Sequence, residues 1–133
     1  MLIGEVARRS GVAAKTLRYY EDIGLVDHPA RTSSGYRRYD ETVLDRLAFI
    51  RSAQALGLTL GEIRGIVSLR DDGQVPCGHV LDLVRARSTE IDRTIDELRV
   101  LQHELARLVE RAERLDPADC DPRRVCHLIG GAP

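Results

Sequence analysis

The side chains best suited to metal binding or redox chemistry are the three cysteines, Cys77, Cys120 and Cys126. Between Cys77 and Cys120 the sequence predicts one long helix, and a helix of about 35 residues spans roughly 50 Å. Cys77 therefore cannot meet Cys120 or Cys126 within one chain. An antiparallel partner helix would bring them together, which predicts a thiol site shared by two chains.

An odd number of cysteines favours a metal or redox site over a disulfide framework. The 133-residue chain has no apolar run of membrane-spanning length and no signal segment, so we expect a cytoplasmic protein with reduced thiols. Its net charge of −1 conceals an asymmetry, because residues 1–70 contain eleven Lys and Arg against eight Asp and Glu. The N-terminal half is the better candidate for a polyanion partner. No nucleophile–base pair or cofactor loop indicates an enzyme.

The N-terminal half predicts two short helices followed by a hairpin. The first helix starts at Ile3 and stops at Gly11, a residue that favours helix ends. The second extends from Val12 to Gly24, and the pair forms a helix-turn-helix candidate whose second helix would be the recognition helix. Residues 25–39 contain a Ser-Ser-Gly turn between strand-like segments, which predicts a β-hairpin wing.

The rest of the chain predicts helices as well. One helix is expected after Asp40 and another is capped by Thr59. From His79 to about Glu113 there is no Gly or Pro, and apolar residues alternate four and three apart in a heptad seam. A small N-terminal module cannot cover this seam, so we expect an antiparallel coiled coil in a homodimer.

The expected fold is mainly α, with four segments. They are a winged helix-turn-helix DNA-binding domain at 1–70, a linker at 71–78, a dimerisation coiled-coil helix at 79–115, and a metal-binding loop and tail at 116–133.

Basic and aromatic side chains cluster in the predicted second helix and wing. All four tyrosines fall between positions 19 and 39, interleaved with basic residues. Arg, Lys, Tyr and Ser donors suit phosphate contacts, and the second helix offers side chains that could meet base edges in the major groove. Tyr20 and Tyr39 are expected to pack the wing onto the module. The predicted DNA-binding residues are Lys15, Thr16, Arg18, Tyr19, Arg31, Ser34, Gly35, Tyr36 and Arg37.

The same region carries a family resemblance. Ile3-Gly-Glu-Val-Ala, Thr16-Leu-Arg-Tyr-Tyr-Glu, Gly24-Leu, Arg31, Gly35-Tyr-Arg and Tyr39 closely resemble the N-terminal DNA-binding domain of the MerR family of transcriptional regulators. The resemblance implies a dimer on a palindromic promoter element with an over-long spacer. Such dimers bend and untwist the DNA on effector binding, so that RNA polymerase can engage both promoter elements.

The resemblance also bears on the effector. Drug-binding members carry a large C-terminal ligand domain, and the iron–sulfur branch needs four clustered tail cysteines, so we expect the metal-sensing branch. In its divalent members a cysteine occupies the position of Cys77, just before the long helix, where copper(I) members typically have serine. The implied site joins Cys77 of one subunit to Cys120 and Cys126 of the other and binds Zn²⁺, Cd²⁺, Pb²⁺ or Hg²⁺. His127, His79 or Asp121 could supply a fourth ligand for zinc.

Alternatives remain open at this point. Cys126 and His127 match the family's tail more closely than Cys120, which comes later than the first tail cysteine of the divalent branch. A reversible disulfide between Cys120 and Cys126 would instead make a thiol redox or electrophile sensor. A copper(I) sensor is a further alternative, and the helix-turn-helix motif disfavours a metal-buffering protein.

Overall fold

The computed structural model describes residues 1–129 and is mainly helical, which confirms the expected fold class. Contacts divide the chain into two compact units, Met1–Arg87 and a second unit from Ser88 onward. In chain order the elements are α1 (Ile3–Ser10), α2 (Ala14–Asp22), β1 (Ala30–Arg31), β2 (Arg37–Arg38), α3 (Thr42–Ala55), α4 (Leu60–Asp71), α5 (Cys77–Arg114) and a short 3₁₀ helix at Pro117–Asp119.

The turn between α1 and α2 follows the expected helix-turn-helix pattern. Gly11 ends α1 with a φ of 73°, and its amide donates to the carbonyl of Ala7 at 3.0 Å. A side chain at this φ is strained, so the position favours glycine. Val6 of α1 and Leu17 of α2 are both fully buried, and they fix the two helices against one core.

The wing is a two-stranded antiparallel hairpin, as predicted. Ala30 pairs with Arg38 and Arg31 pairs with Arg37. The connecting turn is closed by a bond from the Thr32 amide to the Tyr36 carbonyl at 2.8 Å. An additional isolated bridge joins Leu2 to Arg38, so the start of the chain lies along the edge of the wing.

Helices α3 and α4 complete the core of the first unit. Leu47, Ile50 and Ile63 are almost fully buried there. Thr59 caps α4 as expected: its hydroxyl accepts from the Glu62 amide at 3.1 Å, and the Glu62 carboxylate accepts from the Thr59 amide at 2.9 Å. This reciprocal capping box satisfies two backbone donors at the start of α4.

Helix α5 begins at Cys77, two residues before the expected start at His79. The Pro76 carbonyl accepts from the Val80 amide at 2.9 Å, so Cys77 is the first residue of the first turn. None of the 38 residues of α5 is buried in the single chain. The predicted seam is correspondingly exposed, with Ile91 at 47% and Ile95 at 41% of full exposure. No helix within residues 1–129 combines the length and apolar character needed to cross a lipid bilayer.

Candidate nucleic-acid interface and metal centre

Helix α2 divides its side chains between the core and the solvent. Leu17 and Tyr20 are buried, whereas Lys15, Arg18 and Tyr19 are exposed. Arg18 and Tyr19 lie three and four residues after Lys15, which places all three on one side of the helix. Two cationic groups and one phenol therefore face outward from the predicted recognition helix, and Thr16 beside them is half-buried.

The wing presents a second polar surface. Tyr36 is 66% exposed and Ser34 is exposed at the tip of the turn. Arg31 is exposed, and one of its terminal nitrogens donates to the Gly35 carbonyl at 2.9 Å. Gly35 has a φ of 85°, which the tight turn requires. The outer side of the hairpin thus carries the Tyr, Ser and Arg donors that suit DNA phosphates.

A buried carboxylate, which the sequence patterns did not predict, joins α2 to the wing. Glu21 is 3% exposed, and its Oε2 accepts from Arg37 Nε at 3.1 Å. Its Oε1 accepts from the Tyr39 hydroxyl. Tyr20 and Tyr39 are buried, as expected for residues that pack the wing. One feature of the sequence could have indicated that Glu21 is buried. It lies beside Tyr20 and four residues after Leu17, on the edge of the apolar face of α2.

Tyr39 is kept protonated by this environment. Burial raises the pKa of the Tyr39 hydroxyl, and the hydrogen bond to Glu21 and the negative charge of Glu21 raise that pKa further. A protonated phenol can donate to the carboxylate, whereas a phenolate would repel it. The network thus has one acceptor, Glu21, and two donors, Tyr39 and Arg37.

Cys77 lies at the start of α5 and is exposed. It borders a groove of about 440 Å³ whose apolar lining includes Phe49, Val67, Val75 and Pro76. All of these residues belong to the first compact unit. The sulfur is thus accessible from solvent and stands beside an apolar surface.

The two tail cysteines lie together in the second unit. Cys120 is exposed and Cys126 is half-buried, and both line a cavity of about 200 Å³. His127 lines the same cavity. Arg111 in the last turns of α5 donates to the Leu128 carbonyl at 2.9 Å, which ties the tail to the helix.

Asp121, a sequence candidate for a fourth ligand, is engaged by a cation. Its Oδ1 accepts from the Arg123 amide at 2.9 Å and from Arg123 Nε at 3.2 Å, while Oδ2 accepts from a terminal nitrogen at 3.2 Å. These bonds from the side chain and then the backbone of Arg123 lower the pKa of Asp121. A carboxylate held in this way is a poorer candidate for metal binding than His127, which lines the cavity.

Sulfur and imidazole donors beside an apolar wall suit a soft metal ion. Within residues 1–129 of one chain, however, no three His, Cys, Asp or Glu side chains converge into a group that could hold a metal. Cys120, Cys126 and His127 share a cavity without forming a complete ligand set.

Comparison with known proteins identifies the family. Residues 1–69 match the MerR HTH family regulatory protein, and residues 44–108 match the family MerR, DNA binding. The HTH-type transcriptional regulator HmrR of Rhizobium leguminosarum bv. viciae is 41% identical over 120 residues, covering 90% of this chain and 92% of HmrR. The mercuric resistance operon regulatory protein of Bacillus cereus is 39% identical over 119 residues, covering 89% of this chain and 90% of that protein.

A solved structure gives the same result. The transcription regulator PbrR691 from Ralstonia metallidurans CH34, in complex with lead(II), is similar with a TM-score of 0.76 and 37% identity, covering 97% of this chain and 96% of PbrR691. These relatives are transcriptional regulators, which confirms that the chain is a regulator and not an enzyme. By sequence and by fold, the chain belongs to the MerR family of DNA-binding transcriptional regulators.

Proposed function

We propose that the chain is a metal-responsive transcriptional regulator whose effector is a soft divalent ion, Zn²⁺, Cd²⁺, Pb²⁺ or Hg²⁺. Each of two sites in a homodimer would join Cys77 of one subunit to Cys120 and Cys126 of the other. The observation that carries this proposal is the cavity lined by Cys120, Cys126 and His127, which holds soft donors but no complete ligand set within residues 1–129 of one chain.

The relatives support a metal effector. One is named a mercuric resistance operon regulatory protein, and another was solved in complex with lead(II). Both ions are soft and prefer thiolate ligands. The match to the lead(II) complex covers 97% of this chain, so it extends into the tail that follows α5.

The exposed seam of α5 supports a dimer. Its apolar side chains include Leu98 at 58% and Leu105 at 54% exposure, which is a large apolar surface for a chain on its own. Heptad spacing of such residues favours pairing with a second helix. An antiparallel pair would place the start of one α5 beside the end of the other.

Metal binding can act on DNA only if it favours one dimer arrangement over another. A three-thiolate site would link the start of α5 in one subunit to the tail of its partner. We propose that this link stabilises the arrangement that bends and untwists the long-spacer promoter, on which RNA polymerase then acts. Bending a short DNA site costs of the order of 1–6 kcal/mol. The free energy of metal binding would supply part of that cost.

The test is a pair of heterodimers with the same number of cysteine substitutions. In the first, one subunit carries Cys77→Ser and the other Cys126→Ser, which leaves one intact shared site. In the control, one subunit carries both substitutions, which leaves no intact shared site. We expect thiolate-to-metal absorption with Cd²⁺ at half the wild-type stoichiometry in the first and none in the second. The reverse pattern would show that each site lies within one chain.

Thiol redox sensing is a second candidate, because Cys120 and Cys126 line the same cavity. Oxidation would form a disulfide between them and release two protons and two electrons to an oxidant. A mild oxidant that changes promoter affinity in the wild type but not in Cys120→Ser would favour this function.

A copper(I) effector would be favoured if Cys77→Ser abolished Cd²⁺ binding but left copper(I) binding unchanged.

A further inference from the structure

We propose that Glu21 is a positioning residue for DNA binding: its buried carboxylate holds Arg37 by Nε, so that the terminal nitrogens of Arg37 are presented to a DNA phosphate. This inference rests on the proposed function as a DNA-binding regulator and on the predicted contact between the wing and DNA. Glu21 would act on DNA binding through Arg37, without itself touching the DNA.

The burial of Glu21 is unusual within the described chain. Among residues 1–129 it is the one buried charged or polar residue, at 3% exposure. A buried carboxylate loses its hydration and needs hydrogen-bond donors in return. Arg37 Nε and the Tyr39 hydroxyl provide them, one to each oxygen. Replacing a buried ion pair by apolar side chains is often neutral or stabilising, so fold stability alone does not account for the charge.

Arg37 is held by one part of its guanidinium only. Its Nε donates to Glu21, and within residues 1–129 its two terminal nitrogens make no further hydrogen bond or ion pair. The side chain is 26% exposed, so its outer part reaches solvent. Arg31 differs, because one of its terminal nitrogens is used by the Gly35 carbonyl. A guanidinium fixed at Nε with free terminal nitrogens can bind a phosphate with little loss of side-chain entropy.

The same carboxylate sets the position of the wing relative to α2. Glu21 lies near the end of α2, whereas Arg37 is in β2 and Tyr39 follows it. Phosphate contacts fix the register of a protein on DNA, and the register decides which bases the recognition helix meets. The network Glu21–Arg37–Tyr39 therefore holds the phosphate-binding and base-reading elements together.

The test measures the affinity of the 133-residue chain for a mixed-sequence DNA duplex and asks whether each substitution raises or lowers it. Removing an acid near DNA should strengthen binding if only its charge mattered. We expect Glu21→Gln to weaken binding about tenfold instead, because Arg37 is no longer held by a charge-assisted bond. Asp22→Asn is the matched control, since Asp22 is the adjacent acid on α2 and is exposed. We expect it to bind as tightly as the wild type or more tightly.

The salt dependence gives a second readout that a general loss of stability would not change. The slope of log affinity against log salt should fall by about 0.9 for each DNA phosphate that the protein no longer neutralises. We expect the same reduced slope in Glu21→Gln, Arg37→Gln and the double variant, because each of them leaves the same phosphate without its guanidinium. An unchanged slope in Glu21→Gln with a reduced slope in Arg37→Gln would overturn the positioning role alone. An unchanged slope in Arg37→Gln would overturn the contact between the wing and DNA as well.

Arg37→Lys keeps the test decisive if Glu21→Gln does not fold. A lysine ammonium retains the charge but lacks the fork that can pair with Glu21 and a phosphate at once. We expect its affinity to fall below that of the wild type, because the ammonium lacks the fork, while its retained charge keeps its salt slope closer to the wild-type value than that of Arg37→Gln. Wild-type behaviour of Arg37→Lys would overturn the proposal.

Discussion

Among individual side chains, Tyr39 should have the clearest effect on how folding stability depends on pH. Burial and Glu21 raise the pKa of its hydroxyl above the usual value of about 10. The folded state therefore keeps this proton where the unfolded state releases it. The resulting stabilisation is complete below about pH 10 and is lost as pH rises further.

We expect Tyr39→Phe to lower the free energy of unfolding by about 1–2 kcal/mol at neutral pH, because one oxygen of buried Glu21 loses its donor. Above about pH 10 the difference between the two proteins should shrink, since only the wild type carries the titrating hydroxyl. Urea denaturation over a series of pH values measures both effects. A difference that stays constant through the alkaline range would contradict the assignment.

The tail cysteines should contribute unequally to metal binding. Cys126 is half-buried and Cys120 is exposed, so Cys126 is the better-fixed ligand. We expect Cys126→Ser to reduce Cd²⁺ affinity more than Cys120→Ser, and by at least tenfold, because even outer-shell changes cost roughly 10- to 100-fold. Competition with a chromophoric chelator gives both affinities. Val125→Ala is the control, since Val125 is fully exposed and has no donor atom.

Helix α4 begins with a reciprocal capping box. The Thr59 hydroxyl and the Glu62 carboxylate each satisfy a backbone amide. We expect Thr59→Ala to lower the free energy of unfolding by about 1 kcal/mol. The urea midpoint should fall with an unchanged slope, whereas Ser68→Ala at an exposed position within α4 should leave the midpoint unchanged or slightly higher.

Local sequence patterns predicted the end of α1 and the start of α4. Gly11 ends α1 and Thr59 caps α4, because both effects depend on residues within one turn. The start of α5 was expected two residues late, since Pro76 and Gly78 were interpreted as a break. The Pro76 carbonyl accepts from the Val80 amide, and the missing amide proton of Pro76 costs no helical bond at the helix start, so α5 can begin directly after Pro76.

Tertiary contacts explain what local patterns missed. Arg37 is 16 residues from Glu21 in sequence, and their pairing depends on how β2 packs on α2. Most glutamates are exposed to solvent, and the sequence patterns did not predict that Glu21 is buried. The ligand set of the candidate metal site stays a prediction, because spacing places Cys77 far along the chain from Cys120 but does not fix the tail.

For the chain as a whole, the exposed seam of α5 should determine the oligomeric state. Ile95→Asp places a charge in the predicted interface, so we expect a monomer in sedimentation experiments and loss of the shared Cd²⁺ site. Val100→Asp is the matched control, because Val100 is exposed at 60% but lies off the seam. A dimer that survives Ile95→Asp would exclude the predicted seam as the interface.

The continuity of α5 has an evolutionary consequence. The residues predicted to face DNA and Cys77 belong to the first compact unit, whereas Cys120 and Cys126 belong to the second. Helix α5 passes from one unit into the other without an interruption. Recombination between related genes inside this helix, in heptad register, would exchange the proposed tail ligands while leaving the predicted DNA-binding residues and Cys77 unchanged. Such chimaeras offer a direct route by which one operator can come under the control of a different metal ion.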